Sequence, residues 1–345
     1  MTNQKKINVA QIGCGYWGPN LLRNFTAHPN CHVKWVVETN AERRAYVETH
    51  FPLSKATPDF KKVLDDKEID AIVIATPAAT HFELAKIALE AGKHVLVEKP
   101  LAMTVQQTEE LSTSFQKRGR VLMVGHTFLY HPAVRYLKKL IVEGELGHIY
   151  YIYSQRLNLG QLRSDINAWF NLAPHDVSIL LYLMDGKLPS EVRAHGMDYI
   201  QRGIEDVVFA HLVWENKVIA NIHVSWLDPD RVRKMTVVGE KKMAIYDDIS
   251  ENKITILDKG IDRIPRVGEQ MDYDNFANFQ FLQRKGDVWF PKISSEEPLK
   301  VEVDHFLGCI LNGSEPLTGP KHARDVVAVL EAGQKALKSQ CIKNI

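Results

Sequence analysis

The chain has 345 residues, of which 45% are apolar, and its formal net charge is +1. This length suits two domains better than one core, and a charge near zero provides no broad basic field for a general nucleic-acid binder. The four cysteines lie far apart, which favours reduced thiols. The polar start MTNQKK leads straight into a strand, and no apolar run approaches the roughly 18 residues that span a bilayer. We therefore expect a cytoplasmic protein with no signal peptide and no membrane segment.

A glycine-rich loop follows the first predicted strand, Ile7–Ile12. Gly13, Gly15 and Gly18 come next at the spacing G-x-G-x-x-G, and apolar residues then recur at helical intervals. The first glycine allows a tight turn, the second lets the backbone approach a pyrophosphate, and the third lets helix and strand pack closely. The free N–H groups of the helix would hold the phosphates. Strand, loop and helix therefore stand in the order that a dinucleotide site requires.

A carboxylate follows the second predicted strand, His32–Val37. Glu38 lies 20 residues beyond Gly18, where it is placed to accept hydrogen bonds from the adenosine ribose hydroxyls. Because this carboxylate would repel a 2′-phosphate, the sequence favours NAD(H) over NADP(H). Arg43 and Arg44 lie close by, and either soften that preference or are solvated helix charges.

Strands and helices continue to alternate as far as Gly125, which predicts a parallel sheet covered on both faces. We predict a Rossmann domain over residues 1–125 with six strands, five of which are located by their apolar runs. The located strands are Ile7–Ile12, His32–Val37, Asp70–Ala75, His94–Val97 and Val121–Val124, and the later helices are Asp59–Leu64, His81–Ala91 and Val105–Lys117.

The period changes to alternation in a second predicted domain, residues 126–345, which indicates a mostly antiparallel sheet. The last helix is placed to pack back on the first domain, and residues 260–298 have little period and are predicted to wrap the surface. The predicted strands are Ile149–Asn158, Glu191–Tyr199, Asp206–Glu215, Val218–Ser225, Arg233–Val238, Ala244–Asp247 and Lys253–Leu257, and the helices are His131–Val142, His175–Met184, Val301–Leu311 and His322–Lys338.

Candidate catalytic groups follow strand ends and a predicted helix start, in Thr76-Pro77, Glu98-Lys99-Pro100 and Ala173-Pro174-His175-Asp176. A hydroxyl oxidised by hydride transfer must lose its proton, for which His175 is a candidate base. Lys99 is a candidate to stabilise the alkoxide, and Asp176 to orient the ring or cap the helix. Taken alone, His175 also fits an interior histidine and Lys99 a surface lysine. The histidines elsewhere form no tight metal-binding group, and His126 is explained by packing.

The combination of motifs resembles the Gfo/Idh/MocA family of nicotinamide-dependent sugar and cyclitol oxidoreductases. The matching residues are Gly13-Cys14-Gly15-Tyr16-Trp17-Gly18, Ala75-Thr76-Pro77 with His81, Glu98-Lys99-Pro100 and Pro174-His175-Asp176. The resemblance implies a Rossmann domain followed by an α/β domain with a large open sheet, and it identifies Lys99 and His175 as the catalytic pair. It also implies that the cofactor is contacted by the matched residues Gly13, Gly15, Tyr16, Trp17, Gly18, Thr76, Pro77, His81 and Glu98. Polyol-oxidising members commonly carry an aspartate four residues before the catalytic histidine, and here that residue is Asn171.

A finer resemblance, to the branch acting on nucleotide-linked sugars, lies in residues 156–163 and 169–176. Arg156, Asn158 and Arg163 could grip a diphosphate or a carboxylate, and Trp169 could offer a flat face to a ring. The alternative is ordinary strand-end arginines and a core tryptophan. The candidate substrate residues are Lys99, Arg156, Asn158, Arg163, Asn171 and Asp176.

We therefore expect an NAD-dependent oxidoreductase that acts on a secondary hydroxyl or ketone of a nucleotide-linked sugar. Two alternatives stay open: the same chemistry on a free sugar, cyclitol or sugar acid, and an NAD-binding regulator without turnover. The expected partners are a small-molecule substrate and further copies of the chain, because an open sheet with an exposed apolar face favours a homodimer or homotetramer. The Lys99–Pro100 bond is a candidate cis peptide.

Overall fold

The computed structural model describes residues 6–265 and 279–339. Six parallel strands of this part form the first sheet, in the order β3-β2-β1-β4-β5-β6. They are β1 Ile7–Ile12, β2 Cys31–Val37, β3 Lys55–Thr57, β4 Ala71–Ile74, β5 His94–Glu98 and β6 Leu122–Gly125. The short edge strand β3 is the one that the apolar runs did not locate, because only its last residue is buried.

Helices cover both faces of this sheet. They are α1 Gly18–Ala27, α2 Ala41–His50, α3 Phe60–Asp65, α4 His81–Glu90 and α5 Val105–Arg118, with short 3-10 turns at Ala78–Thr80 and Thr127–Tyr130. Alternate residues of β1 enter opposite cores: Val9 packs with α1, and Ala10 packs with α4. Side-chain burial on both faces explains why the strands are almost continuously apolar.

Eight described strands form the second sheet, in the order β14-β13-β12-β11-β7-β10-β9-β8. They are β7 Ile149–Leu159, β8 Glu191–Met197, β9 Val207–Val213, β10 Ile219–Ser225, β11 Leu227–Gly239, β12 Met243–Asp247, β13 Ile254–Pro265 and β14 Phe279–Trp289. β7 and β10 are parallel and the other neighbours are antiparallel. The predicted fold class, a Rossmann sheet with a second, mostly antiparallel sheet, is confirmed.

Four further helices complete the described chain: α6 Pro132–Val142, α7 Ala168–Leu183, α8 Pro298–Asn312 and α9 Pro320–Lys338. The inner face of the second sheet packs with α6, α7 and α9 in one core. α8 returns to the first sheet, where Phe306 meets Phe25 of α1 edge to face. α9 lies against both α5 and α7, and its Glu331 accepts a hydrogen bond from the amide of Val105 at 2.9 Å.

Residues 260–298 are predicted to have little period and to wrap the surface, and the structure adds two strand segments within this range. β13 runs on to Pro265, and β14, which the sequence did not predict, pairs with it as a long antiparallel hairpin arm. On β14, exposed side chains such as the consecutive Phe281 and Leu282 do not alternate with buried ones. A strand without a buried face has no period-2 signal, so alternation could not find it. Residues 266–278 lie outside the described part.

The predicted helix start at His175 is also wrong. α7 begins at Ala168, and Asn167 caps it by accepting a hydrogen bond from a first-turn amide. Pro174 therefore lies inside the helix, where it has no N–H to give the carbonyl one turn earlier. Proline is common in the first turn of a helix, which explains the error. Asp176 lies well inside α7 and cannot cap it.

Three simpler expectations concern thiols, membranes and metals. Cys14, Cys31 and Cys309 are buried free thiols, and Cys341 lies outside the described residues. No helix in the described ranges combines the length and apolar character needed to cross a membrane. Within the same ranges, no three His, Cys, Asp or Glu side chains are grouped as metal ligands.

The contact between α7 and α9 generates a prediction about stability. A Cβ atom on Gly333 of α9 would lie 2.6 Å from Cζ2 of Trp169, whose indole is held by a hydrogen bond to the carbonyl of Leu330. Because this ring cannot retreat, we expect Gly333→Ala to lower the free energy of unfolding by about 1–3 kcal/mol, measured by denaturant titration. Gly308→Ala in α8 is the control, since a Cβ there meets nothing within 4 Å. Equal stability of the two variants would contradict this packing.

Candidate active site

The glycine loop after β1 has the geometry of a phosphate cradle. Gly13 has φ of +91°, and a Cβ on it would lie 2.6 Å from the carbonyl oxygen of Ala75. A Cβ on Gly18 would lie 2.7 Å from the carbonyl oxygen of Gly13, whereas a Cβ on Gly15 would meet nothing within 4 Å. The tight turn thus requires glycine at position 13, and the close packing against the loop requires glycine at position 18. The second faces open space, into which a pyrophosphate fits.

A buried polar side chain holds this loop in place. Nε2 of Gln11 donates to the carbonyl oxygens of Gly13 at 2.9 Å and Gly18 at 3.0 Å. Sequence reasoning read Gln11 as part of an apolar strand and missed this role. A single glutamine inside a buried strand is itself a signal, because an interior amide needs hydrogen-bond partners.

The amino terminus of α1 is free to receive phosphate oxygens. In the described chain, no side chain caps this helix at Trp17 and no acidic residue lies in its first turn. Tyr16 is almost fully exposed, and Trp17 is partly exposed and makes a side-chain hydrogen bond to Glu98. The positive end of the helix dipole favours an anion at this position. The residues present therefore fit a dinucleotide.

Glu38 lies where the ribose of such a dinucleotide is expected. One of its carboxylate oxygens accepts from the amide of Cys14 at 2.8 Å, and the other accepts from the amide of Asn40 at 2.9 Å. Each oxygen keeps a second lone pair for a hydroxyl group. The guanidinium of Arg44 donates to the carbonyls of Glu38 and Thr39. That arginine is thus engaged by the backbone.

The loops after β4 and β5 are joined by a buried histidine. Nδ1 of His81 lies 2.7 Å from the carbonyl oxygen of Pro100, and Nε2 lies 2.8 Å from that of Thr76. Pro77 is exposed at this edge, and the Lys99–Pro100 peptide is cis. His81 therefore supports the walls of the crevice with its ring rather than presenting the ring to a ligand.

Lys99 and Glu98 form the charged centre of this edge. Nζ of Lys99 donates to the carbonyl oxygen of Asn171 at 2.9 Å, which connects the carboxyl end of β5 to α7. Burial lowers the pKa of Lys99 to about 8, although the neighbouring Glu98 carboxylate opposes this shift. Burial raises the pKa of Glu98 to about 7, against the charge of Lys99 and a hydrogen bond from Trp17. Two groups at one edge thus titrate near neutral pH, as active-site groups often do.

His175 lies in α7, in contact with the Phe128 ring at 4.9 Å between centroids. Its Nδ1 is sealed from solvent and has no hydrogen-bond partner among the described residues, although the residue as a whole is only partly buried. Burial lowers its pKa well below the usual range, and the charges of Lys99 and Arg156 lower it further. A neutral imidazole beside an ammonium group is able to accept a proton.

Asp176 and Arg156 form a buried ion pair and do not face an open site. Nε of Arg156 lies 2.7 Å from Oδ2 of Asp176, and Ser154 donates to Oδ1 at 2.5 Å. The guanidinium also lies over the Phe128 ring. The structure therefore places Asp176 with Arg156 rather than with the ring of His175. A pair so buried holds its strand and helix together, because removing one partner leaves an uncompensated charge.

The other candidate substrate residues are distributed differently. Arg163 is partly exposed and forms a two-bond pair with Asp165, and Asn158 is half-buried near the end of β7. The side-chain oxygen of Asn171 accepts from the indole of Trp226 at 3.2 Å. Trp169 is fully buried in the second core, so the expectation that it offers a flat face to a ligand is wrong.

Arg233 is a site residue that sequence reasoning missed. It lies on β11 directly opposite Arg156 of β7, with 35% of its side chain exposed, and its Nη1 lies 3.2 Å from Asp248. Its charge lowers the pKa of both Lys99 and His175. The basic residues within 231–234 could have marked this segment as a candidate. That Arg233 lies next to Arg156 depends on the order of the strands in the sheet, which the sequence did not reveal.

Comparisons with known proteins agree with this geometry. The GFO/IDH/MocA model described as an oxidoreductase family with an NAD-binding Rossmann fold matches residues 7–126, and the GFO/IDH/MocA C-terminal domain model matches residues 134–245. Together they match more than half of the chain.

Two relatives and one solved structure illustrate the activities named among similar proteins. UDP-N-acetylglucosamine 3-dehydrogenase of Acidithiobacillus ferrooxidans is 30% identical over 257 residues, 74% of this chain and 78% of that protein. A solved structure of the enzyme of that name from that organism has a TM-score of 0.78 at 26% identity, covering 97% of this chain and 98% of the other. The NAD-dependent scyllo-inositol 2-dehydrogenase of Bacillus subtilis is 23% identical over 328 residues, 91% of this chain and 89% of that protein.

The buried position of Lys99 generates a prediction about its reactivity. Only the uncharged amine reacts with acetic anhydride, so competitive labelling against pH reports the pKa of each lysine. We expect half-maximal labelling of Lys99 near pH 8, against about 10.4 for an ordinary lysine. Glu98→Gln should move this midpoint lower, because the carboxylate charge raises the pKa of Lys99. An ordinary midpoint, or an upward move in the variant, would contradict the arrangement.

Proposed function

The chain belongs to the Gfo/Idh/MocA family of NAD-binding oxidoreductases, and from this premise we propose that it oxidises a secondary hydroxyl of a nucleotide-linked sugar to a ketone, or reduces such a ketone. Lys99 and His175 are the proposed catalytic residues. The observation that carries the proposal is the presence of two partly exposed guanidinium groups, Arg163 and Arg233, whose charges act on Lys99 and which each keep donors beyond the carboxylate that they contact. Guanidinium donors near the reacting centre suit an anionic substrate.

The proposed mechanism assigns one task to each of the two catalytic side chains. His175 is neutral near pH 7 and accepts the hydroxyl proton. Lys99, which keeps its proton below about pH 8, stabilises the negative charge that develops on the same oxygen. When bound, the cofactor supplies the hydride acceptor at its nicotinamide ring. The hydrogen bond from Lys99 to Asn171 keeps the lysine oriented toward α7, the helix that carries His175.

We propose NAD(H) as the cofactor in preference to NADP(H). The Glu38 carboxylate would repel a 2′-phosphate. The engagement of the Arg44 guanidinium by the carbonyls of Glu38 and Thr39 supports this preference, because two of its donors are occupied by the backbone. The glycine loop and the open amino terminus of α1 are the proposed pyrophosphate site, with Gly13, Gly15 and Gly18 as its glycines.

Arg163 and Arg233 are the proposed ligands of the substrate's diphosphate or carboxylate. Each guanidinium has five donor hydrogens, and each retains donors beyond the carboxylate that it already contacts. The buried ion pair of Arg156 with Asp176 supports this site by holding β7 and α7 together. The nucleotide-sugar assignment is further supported by the 30% identical relative, which is named for a nucleotide-linked sugar.

The main rival is the same chemistry on a free sugar, cyclitol or sugar acid. The relative named for scyllo-inositol supports it, since that relative matches most of this chain. Asn171 weighs against a polyol, because its amide cannot take part in proton transfer as an aspartate can. The second rival, a regulator without turnover, is disfavoured by membership of an oxidoreductase family and by the presence of both Lys99 and His175.

We also propose that the chain forms a homodimer or larger homo-oligomer through the outer face of the second sheet. Large apolar side chains are exposed there on adjacent strands, and they are Tyr151, Tyr153, Phe209 and Ile219. Phe209 stacks on His223 at 4.1 Å between ring centroids, so the aromatic surface continues from β9 onto β10. An apolar patch that extends over several strands is typical of an interface.

The nucleotide-sugar proposal predicts a ligand-dependent thermal shift. The NADH-loaded protein is screened against UDP, TDP, GDP and free sugars. We expect one nucleoside diphosphate to raise the melting temperature, because a ligand at a hundred times its dissociation constant adds about 2.7 kcal/mol. Arg163→Ala and Arg233→Ala should remove this shift. Arg193→Ala is the matched control, since Arg193 also pairs with an acidic residue two positions away.

A second readout separates binding from chemistry in that experiment. Lys99→Met should keep the shift with NADH and lose about 10²–10³ in turnover of the sugar nucleotide identified. A shift with NADH and a free sugar but with no nucleotide would overturn the nucleotide-sugar assignment and leave the oxidoreductase. Loss of the nucleotide shift in the Arg193→Ala control would show that the effect of the arginines is not specific.

The oligomer proposal predicts a mass above that of the monomer by light scattering at micromolar concentration. Phe209→Asp should give monomers, because a carboxylate within the apolar patch would be buried unpaired in the interface. Leu53→Asp is the control, since Leu53 is exposed on the first domain. A monomeric wild-type protein would contradict the proposal.

A further inference from the structure

The 3-10 turn Thr127–Tyr130 lies directly against the candidate catalytic histidine. The Phe128 ring of this turn packs edge to face on the ring of His175, at 4.9 Å between centroids and 73° between planes. The guanidinium of Arg156 lies over the same ring, 4.6 Å from its centroid. Helices α7 and α8 both pack against the turn. The position of Phe128 therefore limits how the imidazole can rotate.

A buried carboxyl group of α8 holds the start of this turn. Oγ1 of Thr127 donates to Oε2 of Glu302 at 2.7 Å. Glu302 is fully buried, and its Oε1 has no hydrogen-bond partner among the described residues. Because Thr127 directly precedes Phe128, this bond fixes the backbone at the point from which the aromatic ring projects.

Glu302 is an unusual residue for its place in α8. Its neighbours on the buried side of the helix are apolar, and they include Leu299, Val303 and Phe306. Burial raises the pKa of Glu302 well above its usual range, and the charge of Glu98 raises it further, although the bond from Thr127 opposes the shift. A buried polar atom without a partner costs free energy and needs an explanation. The single bond that Glu302 makes, to the turn beside His175, provides one.

The second half of the turn is held by different contacts. Oη of Tyr130 lies 3.0 Å from Oγ1 of Thr318, and Nε of Arg135 donates to the carbonyl oxygen of Leu129 at 3.2 Å. Glu302 thus secures the start of the turn while these groups secure its end. The aromatic ring that contacts the histidine projects from between the two points.

We propose that Glu302 is a positioning residue for His175: its hydrogen bond to Thr127 holds the turn so that Phe128 fixes the orientation of the imidazole. The inference rests on the proposed function, in which His175 accepts the hydroxyl proton. A base must hold its nitrogen within hydrogen-bond reach of the proton that it takes. A small displacement of such a group lowers the rate even when the change that causes it is distant.

The first test needs no substrate and reads the His175 ring directly. Carbon-13 histidine spectra of the NADH-loaded full chain are recorded against pH, and His175→Gln identifies the signal. We expect no titration of the wild-type signal near pH 6.5, because burial lowers the pKa of His175. Thr127→Val and Glu302→Leu remove the hydrogen bond at similar side-chain volume. Each should shift the signal, since the ring current of Phe128 acts on it, and should move its midpoint up toward 6.5 as water reaches the ring.

Conservative variants separate the hydrogen bond from simple packing. Glu302→Gln keeps an acceptor and Thr127→Ser keeps the donor, so both should retain the wild-type signal of His175. Thr108→Val is the matched control, because it deletes a buried hydroxyl that donates to the carbonyl oxygen of Val105 within α5, and it should leave the signal unchanged.

Two results would overturn the proposal. One is a His175 signal that keeps its wild-type position in both Thr127→Val and Glu302→Leu. The other is a shift in Glu302→Gln as large as the shift in Glu302→Leu. If Glu302→Leu does not fold, Thr127→Val decides the first point, and the second compares Glu302→Gln with Thr127→Val.

The second test uses turnover, once the wild-type protein reduces NAD with an identified sugar nucleotide. Thr127→Val should lower kcat by about 10–100-fold and leave KM and NADH affinity unchanged, and Thr127→Ser should restore most of the rate. An unchanged kcat in Thr127→Val would overturn the positioning role. If the wild type turns over no sugar nucleotide, the proposed function fails, while the carbon-13 spectra still decide whether Glu302 positions His175.

Discussion

The hydrogen bond from Lys99 to the carbonyl oxygen of Asn171 is the contact on which the site depends. It joins the carboxyl end of a Rossmann strand to the helix that carries His175. Pro174 deprives the carbonyl of Phe170 of its helical N–H donor, so Lys99 binds the carbonyl next to this interruption of the helix. A cation at this interruption places an ammonium group, a neutral imidazole and the open edge of the cofactor crevice together. Each alone would have an ordinary structural explanation.

Burial determines the chemistry of these groups. The pKa values of Glu98 and Lys99 move toward each other, to about 7 and about 8, since low solvation disfavours both charged forms. The neighbouring guanidinium groups push Lys99 in the same direction as burial does. A substrate anion would reverse that part of the effect and help to keep the ammonium charged. The proposed substrate and the proposed acid–base chemistry therefore support each other through one electrostatic interaction.

Much of the fold could be predicted because its signals are local. The glycine spacing, the position of Glu38 and the apolar strands can each be recognised from a few consecutive residues. The structure places the glycine loop, Glu38 and the ends of these strands around one crevice. The start of α7 could not be predicted, since Pro174 inside a helix looks like a first-turn proline, and this hid the roles of Asn167 and Asp176. Strand β14 could not be found because neither of its faces is buried. The burial of Trp169 could not be predicted without knowing where α9 packs. The position of Arg233 opposite Arg156 required the order of the strands in space, which one sequence does not reveal.

The most direct test of the account is a crystal structure of the protein with NADH and a uridine diphosphate sugar. The account predicts the nicotinamide C4 about 3–3.5 Å from the reacting sugar carbon. The sugar oxygen should lie between Lys99 and His175, and the diphosphate should contact Arg163 and Arg233. A sugar oxygen that lies away from both catalytic residues, or a diphosphate bound elsewhere, would contradict it.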